Sequence, residues 1–469
     1  MLVVNAVAPL ALLLVAPYNS QLSDSCLSQY YYGTHGQQNV FITDDDVCLS
    51  KAAQHLNDGS FVQLTDDVQQ LVWLQHQAVD DSIKPASFVD EFNAFFSRLS
   101  TPSQVTDGEQ IVFNKQHPAK LLHRTESSAL ISVDSETALT LDLHLPRFWK
   151  ASPLPTSPVP FIPVPSKAVD RVRDILDGLK FDPTVASIVS NISVPQLRSD
   201  VRYLTGEHPS SEIISRHSFS KGVLIAADWL KDNFEAHGAS CTLKPFLSGF
   251  APNVICSYEG TENTTETVLI SAHYDSRGSF GSVRAPGGDD DGSGTTALLG
   301  IARVIARKGL KFRKNVQICA FAGEEQGLYG SRYYAREMYE KGANLTLMVQ
   351  ADMLGYHAAD EPAQLGLPDI IGTPEVAQLV ANLSAIYSPE LKVGITPACC
   401  SDHQSFHQVG FPATQVFERA GPIADPMYHN SGDLSDREGY DFEQIKSIAK
   451  VQFATLLHVA GFDLPSKED

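Results

Sequence analysis

Six prolines fall between Ser152 and Pro165, in SPLPTSPVPFIPVP. Proline lacks an amide hydrogen and fixes φ, so this run can be neither helix nor central strand. Residues 152–165 therefore read as an extended linker that divides the 469-residue chain. Beyond the linker, residues 166–469 are enough for one large domain. The part before the linker divides again. The chain opens MLVVNAVAPLALLLVAPYNSQ, apolar from Leu2 to Ala16. That run is short for a bilayer span and has the length of a signal-peptide core. Residues 1–20 are read as a signal peptide; the other readings are a membrane anchor or a buried N-terminal segment. Residues 21–151 remain as a propeptide or an accessory domain.

Periodicity suggests the architecture. In the leading segment, FVQLTDDVQQLVWLQHQAV (61–79) has apolar residues near helical spacing. SALISVDSETALTLDLHLP (128–146) alternates as a β-hairpin does. Past residue 165, strand-like runs such as TVLISAHYD, NVQICAFAGEE, LTLMVQADML and FPATQVFE are separated by amphipathic helices. Such alternation predicts an α/β domain: a mixed, mostly parallel twisted sheet with helices on both faces. A smaller α+β segment precedes it.

Ligand-type residues recur where predicted strands end. His273 and Asp275 follow VLISA, Glu324 and Glu325 follow ICAFAG, and Asp352 follows LMVQA. In open α/β sheets that edge is where ligands bind. One polar strand end is ordinary; three with metal-ligand chemistry are not. The loop APGGDDDGSG adds Asp289, Asp290 and Asp291 in sequence. Three adjacent carboxylates repel unless a cation is near, and a calcium loop would space them at alternate positions. One carboxylate can bridge two metal ions. Imidazole with carboxylate suits zinc, with cobalt or manganese as substitutes. In the Glu324-Glu325 pair one side chain can ligate while the other takes a proton from activated water. By residue type alone, His403, His407 and His429 are equal candidates for a last ligand.

The formal charge of -20 argues against nucleic acid and anionic membranes as partners. Asn191, Asn263, Asn344 and Asn382 each begin an N-x-[ST] sequon, which together with the leader suggests a secreted glycoprotein. The seven cysteines leave at least one unpaired in a monomer. Cys241 and Cys256 are equidistant from Ser248-Gly249, so a hairpin turn there would oppose them as a disulfide.

AHYDS, PGGDDDGSG, FAGEEQGLYGS, QADMLGY, CSDH and MYHNSGD occur in that order. Over residues 170–465 the chain thus resembles the secreted co-catalytic zinc aminopeptidases of metallopeptidase family twenty-eight, found in bacteria and fungi. The resemblance implies the zinc exopeptidase fold, two Zn2+ per chain, and hydrolysis of the N-terminal peptide bond of peptides and proteins. His273 and Asp352 would bind one zinc, Glu325 and His429 the other, and Asp290 both. Glu324 would be the general base acting on a hydroxide held between the metals. Asp275 would orient His273, and Asp289 and Asp291 would shape the bridging loop. The partners implied are substrates with a free N-terminus, bulky and apolar at the first residue. A secreted monomer, free of the membrane once its leader is cleaved, is expected. One loop departs from the pattern. Thr396 and Ala398 stand where bacterial members carry a disulfide cysteine and a substrate-side tyrosine, and Cys399 adjoins Cys400. Ser401 keeps its place as a substrate-side candidate. Other readings are a carboxypeptidase or dipeptidase, a glutaminyl cyclase-like acyltransferase with one zinc, and a non-catalytic binding protein.

Overall fold

The computed structural model of the chain describes residues 12–18, 26–52, 60–64, 68–85, 87–100, 119–279, 282, 284–398 and 400–465. They fall into two compact units, one within Met1–Gln77 and Ala86–Pro163, the other within Ala78–Pro85 and Val164–Asp469.

The larger unit is built on six strands: β1 (Ser240–Lys244), β2 (Asn253–Tyr258), β3 (Glu266–His273), β4 (Asn315–Phe321), β5 (Asn344–Ala351) and β6 (Ala413–Val416). Their order across the sheet is β6-β5-β3-β4-β2-β1. The four from β6 to β4 are parallel, while β2 is antiparallel to both β4 and β1. The mixed, mostly parallel sheet is as expected. Successive strand residues enter two different cores. Val268, Ile270 and Ala272 join Val316, Ile318 and Ala320 on one face. Leu269 joins Cys319, Phe321 and Met348 on the other. Burial on both faces explains why these strands read as continuous apolar runs.

The first face is covered by helices that include α1 (Ser166–Asp177), α2 (Lys221–Ala236), α3 (Gly292–Lys308), α5 (Pro374–Tyr387) and α6 (Phe442–Ala460). The second is covered by α4 (Tyr329–Glu340) and the short helix His403–Gln408. Register places the C-terminal ends of three parallel strands side by side. His273 pairs with Phe321, and Ser271 with Gln350. The residues just after β4 and β5 therefore emerge beside His273.

Cys241 and Cys256 are register partners across the β1–β2 hairpin and form a disulfide. Cys319 is free and buried in the sheet. Ala78–Pro85, although early in the chain, belongs to this unit. Val79 bridges Ile423 in parallel, with hydrogen bonds of 2.7 Å from Asp80 N to Ile423 O and 2.9 Å from Ile423 N to Ala78 O. Arg419 then donates to Asp80 at 2.9 Å and grips Glu361 with two further bonds.

The smaller unit holds two four-stranded antiparallel sheets and a second disulfide, Cys26–Cys48. Two expectations fail here. Residues 61–79 contain strands Ser60–Gln63 and Gln70–His76, not a helix. The run from Leu71 to Leu74 is buried throughout because Val72 and Leu74 enter one core and Leu71 and Trp73 another, and a strand buried on both faces loses the period of two. Residues 128–146 form one strand, Ser128–Val133, and then turn into helix Ser135–Leu139. Asp134 caps that helix by accepting from Thr137 N and Oγ1, an N-cap that ends the strand. Leu12–Pro17, within the apolar run read as a leader, forms an inner strand between Gln38–Thr43 and Ser60–Gln63. The composition of a leader core serves an inner strand equally well. No helix among the described residues is long and apolar enough to cross a membrane.

Candidate metal centre

The turn from β3 into α3 carries the acidic loop. Asp291 caps α3 by accepting from Gly294 N at 2.9 Å. It also accepts from His273 N at 3.1 Å and Met353 N at 3.2 Å. Asp289 accepts from Gly355 N at 2.6 Å. Asp291 thus spends its carboxyl on backbone amides, and Asp289 spends one oxygen so. The middle one points elsewhere. Asp290 Oδ1 lies 3.2 Å from His273 Nε2, and its Oδ2 lies 3.3 Å from His429 Nε2.

Two ligand groups meet at this carboxylate: His273, Asp290 and Asp352, and Asp290, Glu325 and His429. His273 Nε2 is 3.7 Å from Asp352 Oδ1, and His429 Nε2 is 3.0 Å from Glu325 Oε2. His273 ends β3, Glu325 comes after β4, Asp352 comes after β5, and His429 lies in the loop before α6. His403 and His407 are elsewhere. The first meets Ile371 O at 3.0 Å, and the second faces Thr373 at 3.5 Å. Burial pushes the His407 pKa down to about 4.

The electrostatics suit a cation. Burial would raise the Asp290 pKa, but the His273 and His429 imidazoles facing its two oxygens outweigh it and hold the carboxyl well below the usual range. Burial raises Asp289 to about 7, with Asp425 adding to the effect, and also raises Asp291. On His273, burial disfavours charge, yet Glu324 and Asp352 prevail and its pKa rises. A pocket that stabilises positive charge on an imidazole would stabilise a metal ion there. His273 Nε2 and both Glu325 carboxylate oxygens are buried without a hydrogen-bond partner, a costly condition that metal ligation would relieve. The donor set therefore fits a pair of zinc-type ions.

Asp275 is buried below this layer. Its carboxylate lies 3.6 Å from His273 Nδ1, which meets the main-chain carbonyl of Asp275 at 3.2 Å. It also accepts from Glu324 N at 3.3 Å, Glu325 N at 3.4 Å and Ser218 Oγ at 2.8 Å. One carboxylate thereby holds the backbone of the Glu324-Glu325 pair. Ser401 is buried and accepts from Gln350 Nε2 at 3.3 Å. Cys400 is disulfide-bonded, and Cys399 lies outside the described residues.

Three supporting residues escaped the sequence reading. Asp433 accepts from the amides of Asp289 and Asp290, and Arg437 pairs with it at 3.0 Å. Arg216 is fully buried and donates to the carbonyls of Leu204, Tyr274, Pro286 and Gly287. Arg277 faces His429 Nδ1 at 2.9 Å. Asp433 stands inside MYHNSGD and was within reach of that motif; the two arginines act on backbone or from distant sequence and carry no signal.

A family model described as Peptidase family M28 matches residues 253–455. A probable leucine aminopeptidase of Arthroderma otae is 30% identical over 292 residues, covering 59% of this chain and 75% of the relative. Leucine aminopeptidase 1 of Grosmannia clavigera is 28% identical over 308 residues, covering 61% and 73%. Among solved structures, the LapA aminopeptidase of Legionella pneumophila has a TM-score of 0.58 at 18% identity, covering 85% of this chain and 100% of that one. At that identity the likeness concerns the fold.

Proposed function

We infer that this chain, which belongs to peptidase family M28, is a metallo-aminopeptidase that releases the N-terminal residue of peptides. The observation that carries the site assignment is Asp290, whose two oxygens face the two histidines from opposite groups at 3.2 and 3.3 Å. We assign His273 and Asp352 to one zinc, Glu325 and His429 to a second, and Asp290 to both. Bound there, the ions would polarise the scissile carbonyl and lower the pKa of water. Glu324 takes the proton of the attacking water and hands it to the leaving amine. Asp275, gripping the Glu324 and Glu325 amides, keeps base and ligand in fixed relation. The acidic cluster favours a substrate amine that is free and charged.

The Cys26–Cys48 and Cys241–Cys256 disulfides, with Cys400 also bonded, support a reading of the chain as exported, acting as a monomer. Ala78–Pro85, bonded to Ile423 and Arg419, supports retention of the leading segment as an accessory part; N-terminal sequencing of exported protein tests this. A first residue after the proline-rich run would instead mark it as a propeptide, and one near residue 21 would mark the leader as cleaved.

The decisive experiment is hydrolysis of leucyl anilide before and after chelation, with zinc restored, for wild type and Glu324→Gln. Activity is expected to vanish with the metal, return with zinc, and fall by about a hundredfold or more in the variant. Activity that survives chelation overturns the metal assignment, and a fully active variant overturns the role of Glu324. Hydrolysis of peptides with blocked N-termini would point to a carboxypeptidase, and one metal per chain to an acyltransferase.

A further inference from the structure

Five aromatic rings cluster immediately beside the Glu324 loop. Phe250 contacts Phe219 edge-on at 4.8 Å, Phe246 at 5.4 Å and Tyr329 at 5.3 Å, and Phe246 continues to Tyr333 at 6.0 Å. Their outer members are open to solvent, Phe219 by 37% and Tyr333 by 49%. The cluster is tied to the catalytic loop at two points. A Cβ on Gly323 would lie 2.9 Å from Phe250 Cδ1 and 3.3 Å from Phe246 Cζ, so the rings press on bare backbone one residue before Glu324. Gly323 has φ +70°, which also favours glycine. Phe219 in turn comes directly after Ser218, which donates to the same Asp275 carboxylate that accepts from Glu324 N.

The position relative to the base decides what the rings can meet. Glu324 delivers its proton to the leaving nitrogen, and that nitrogen belongs to the second residue of the substrate. The second residue's Cα is one bond away, so its side chain departs on the Glu324 side of the scissile bond. The first residue's side chain lies on the other side of that bond. From this placement we propose that the aromatic shelf formed by Phe219, Phe246, Phe250, Tyr329 and Tyr333 is the subsite for the side chain of the substrate's second residue. It selects bulky apolar side chains there, aromatic ones above all, because a ring can add an edge-to-face contact to the row already present. The proposal rests on the aminopeptidase reading and adds a specificity that reading leaves open.

The test uses the full-length, zinc-loaded chain with Leu-Phe-amide and Leu-Gly-amide. The wild type is expected to favour Leu-Phe-amide in kcat/KM by about tenfold, mostly through KM. In Phe219→Ala and Tyr333→Ala, both at solvent-open positions, the ratio is expected to fall towards one. Phe-amide, the released product, should inhibit wild type competitively and inhibit both variants less. Tyr339→Ala, 44% exposed on the same helix as Tyr333, should keep the wild-type ratio. A ratio equal in wild type and both shelf variants overturns the shelf and leaves the aminopeptidase reading intact. Failure of the wild type to cleave either amide overturns both.

Discussion

The carboxylate of Asp433 accepts a hydrogen bond of 3.0 Å from the backbone N–H of Asp290. It holds Asp290, the proposed shared ligand, by its main chain and leaves both side-chain oxygens to face the histidines. The same carboxylate takes the Asp289 amide at 3.0 Å, and Arg437 holds Asp433 in turn. Replacing Asp433 with Ala should free the loop without removing a ligand. Zinc affinity is expected to weaken about 10- to 100-fold, as for other groups that orient ligands, with less effect from Asp433→Asn. Competition with a fluorescent chelator measures this; unchanged affinity in the Ala variant would show that the loop holds itself.

Loss of metal should also appear as loss of stability. Glu325 and His273 are buried with unpartnered polar atoms, so the metal-free chain bears their desolvation uncompensated. Chelation is expected to lower Tm, and added zinc to raise it in proportion to the logarithm of concentration. The gain is about 2.7 kcal/mol at a hundred times Kd. A thermal melt followed by calorimetry, flat across zinc concentrations, would contradict the assignment.

Ala78–Pro85 should respond to acid. The Ser82 amide and hydroxyl, followed by Arg419, hold the Asp80 pKa below the ordinary carboxylate range. A depressed folded-state pKa contributes stability above the unfolded value of about 3.9 and loses it as pH falls through the folded value. Exchange protection at the amides of Asp80 and Ile423 is therefore expected to hold at neutral pH and decline below about pH 4. In Asp80→Ala the protection should be reduced at neutral pH and should lose this acid dependence. Amide exchange corrected for intrinsic rates reads both effects.

Of the four sequons, Asn263 lies in an exposed loop, whereas Asn191, Asn344 and Asn382 are partly buried. The side chains of those three are engaged: Asn191 with Ser187 O, Asn344 with Arg171 and Thr265, and Asn382 with Gln378. Glycan occupancy, read by peptide mass spectrometry of protein from a glycosylating host, should be highest at Asn263. Equal occupancy at Asn344 would mean that its contacts give way before folding completes.

The larger unit was legible because its strands are apolar throughout and end in ligand-type residues, so the period and the chemistry pointed to one edge. His273, Glu325 and Asp352 come from that edge in the structure, and Asp290 from the loop after it. His429 was beyond residue-level reasoning. Its loop has no regular element, and only a motif distinguishes it from His403 and His407. Asp433 and Arg216 bind backbone amides and carbonyls, which every residue type presents alike, so nothing in the sequence marks their partners. The smaller unit misled because Leu71–Leu74 is buried on both sides, and because one aspartate at position 134 turns an alternating run into a helix.

Arg216 gives the acidic loop a property that its carboxylates alone would lack. Its guanidinium is fully buried and bonded only to carbonyls, and an arginine keeps its proton even there. Burial pulls its pKa down and Asp433, Asp291 and Asp275 oppose that, so its positive charge lies among these carboxylates. It does not dissociate, compete with other metals or depend on their supply. The acidic loop thus packs around a counter-ion supplied by the chain itself.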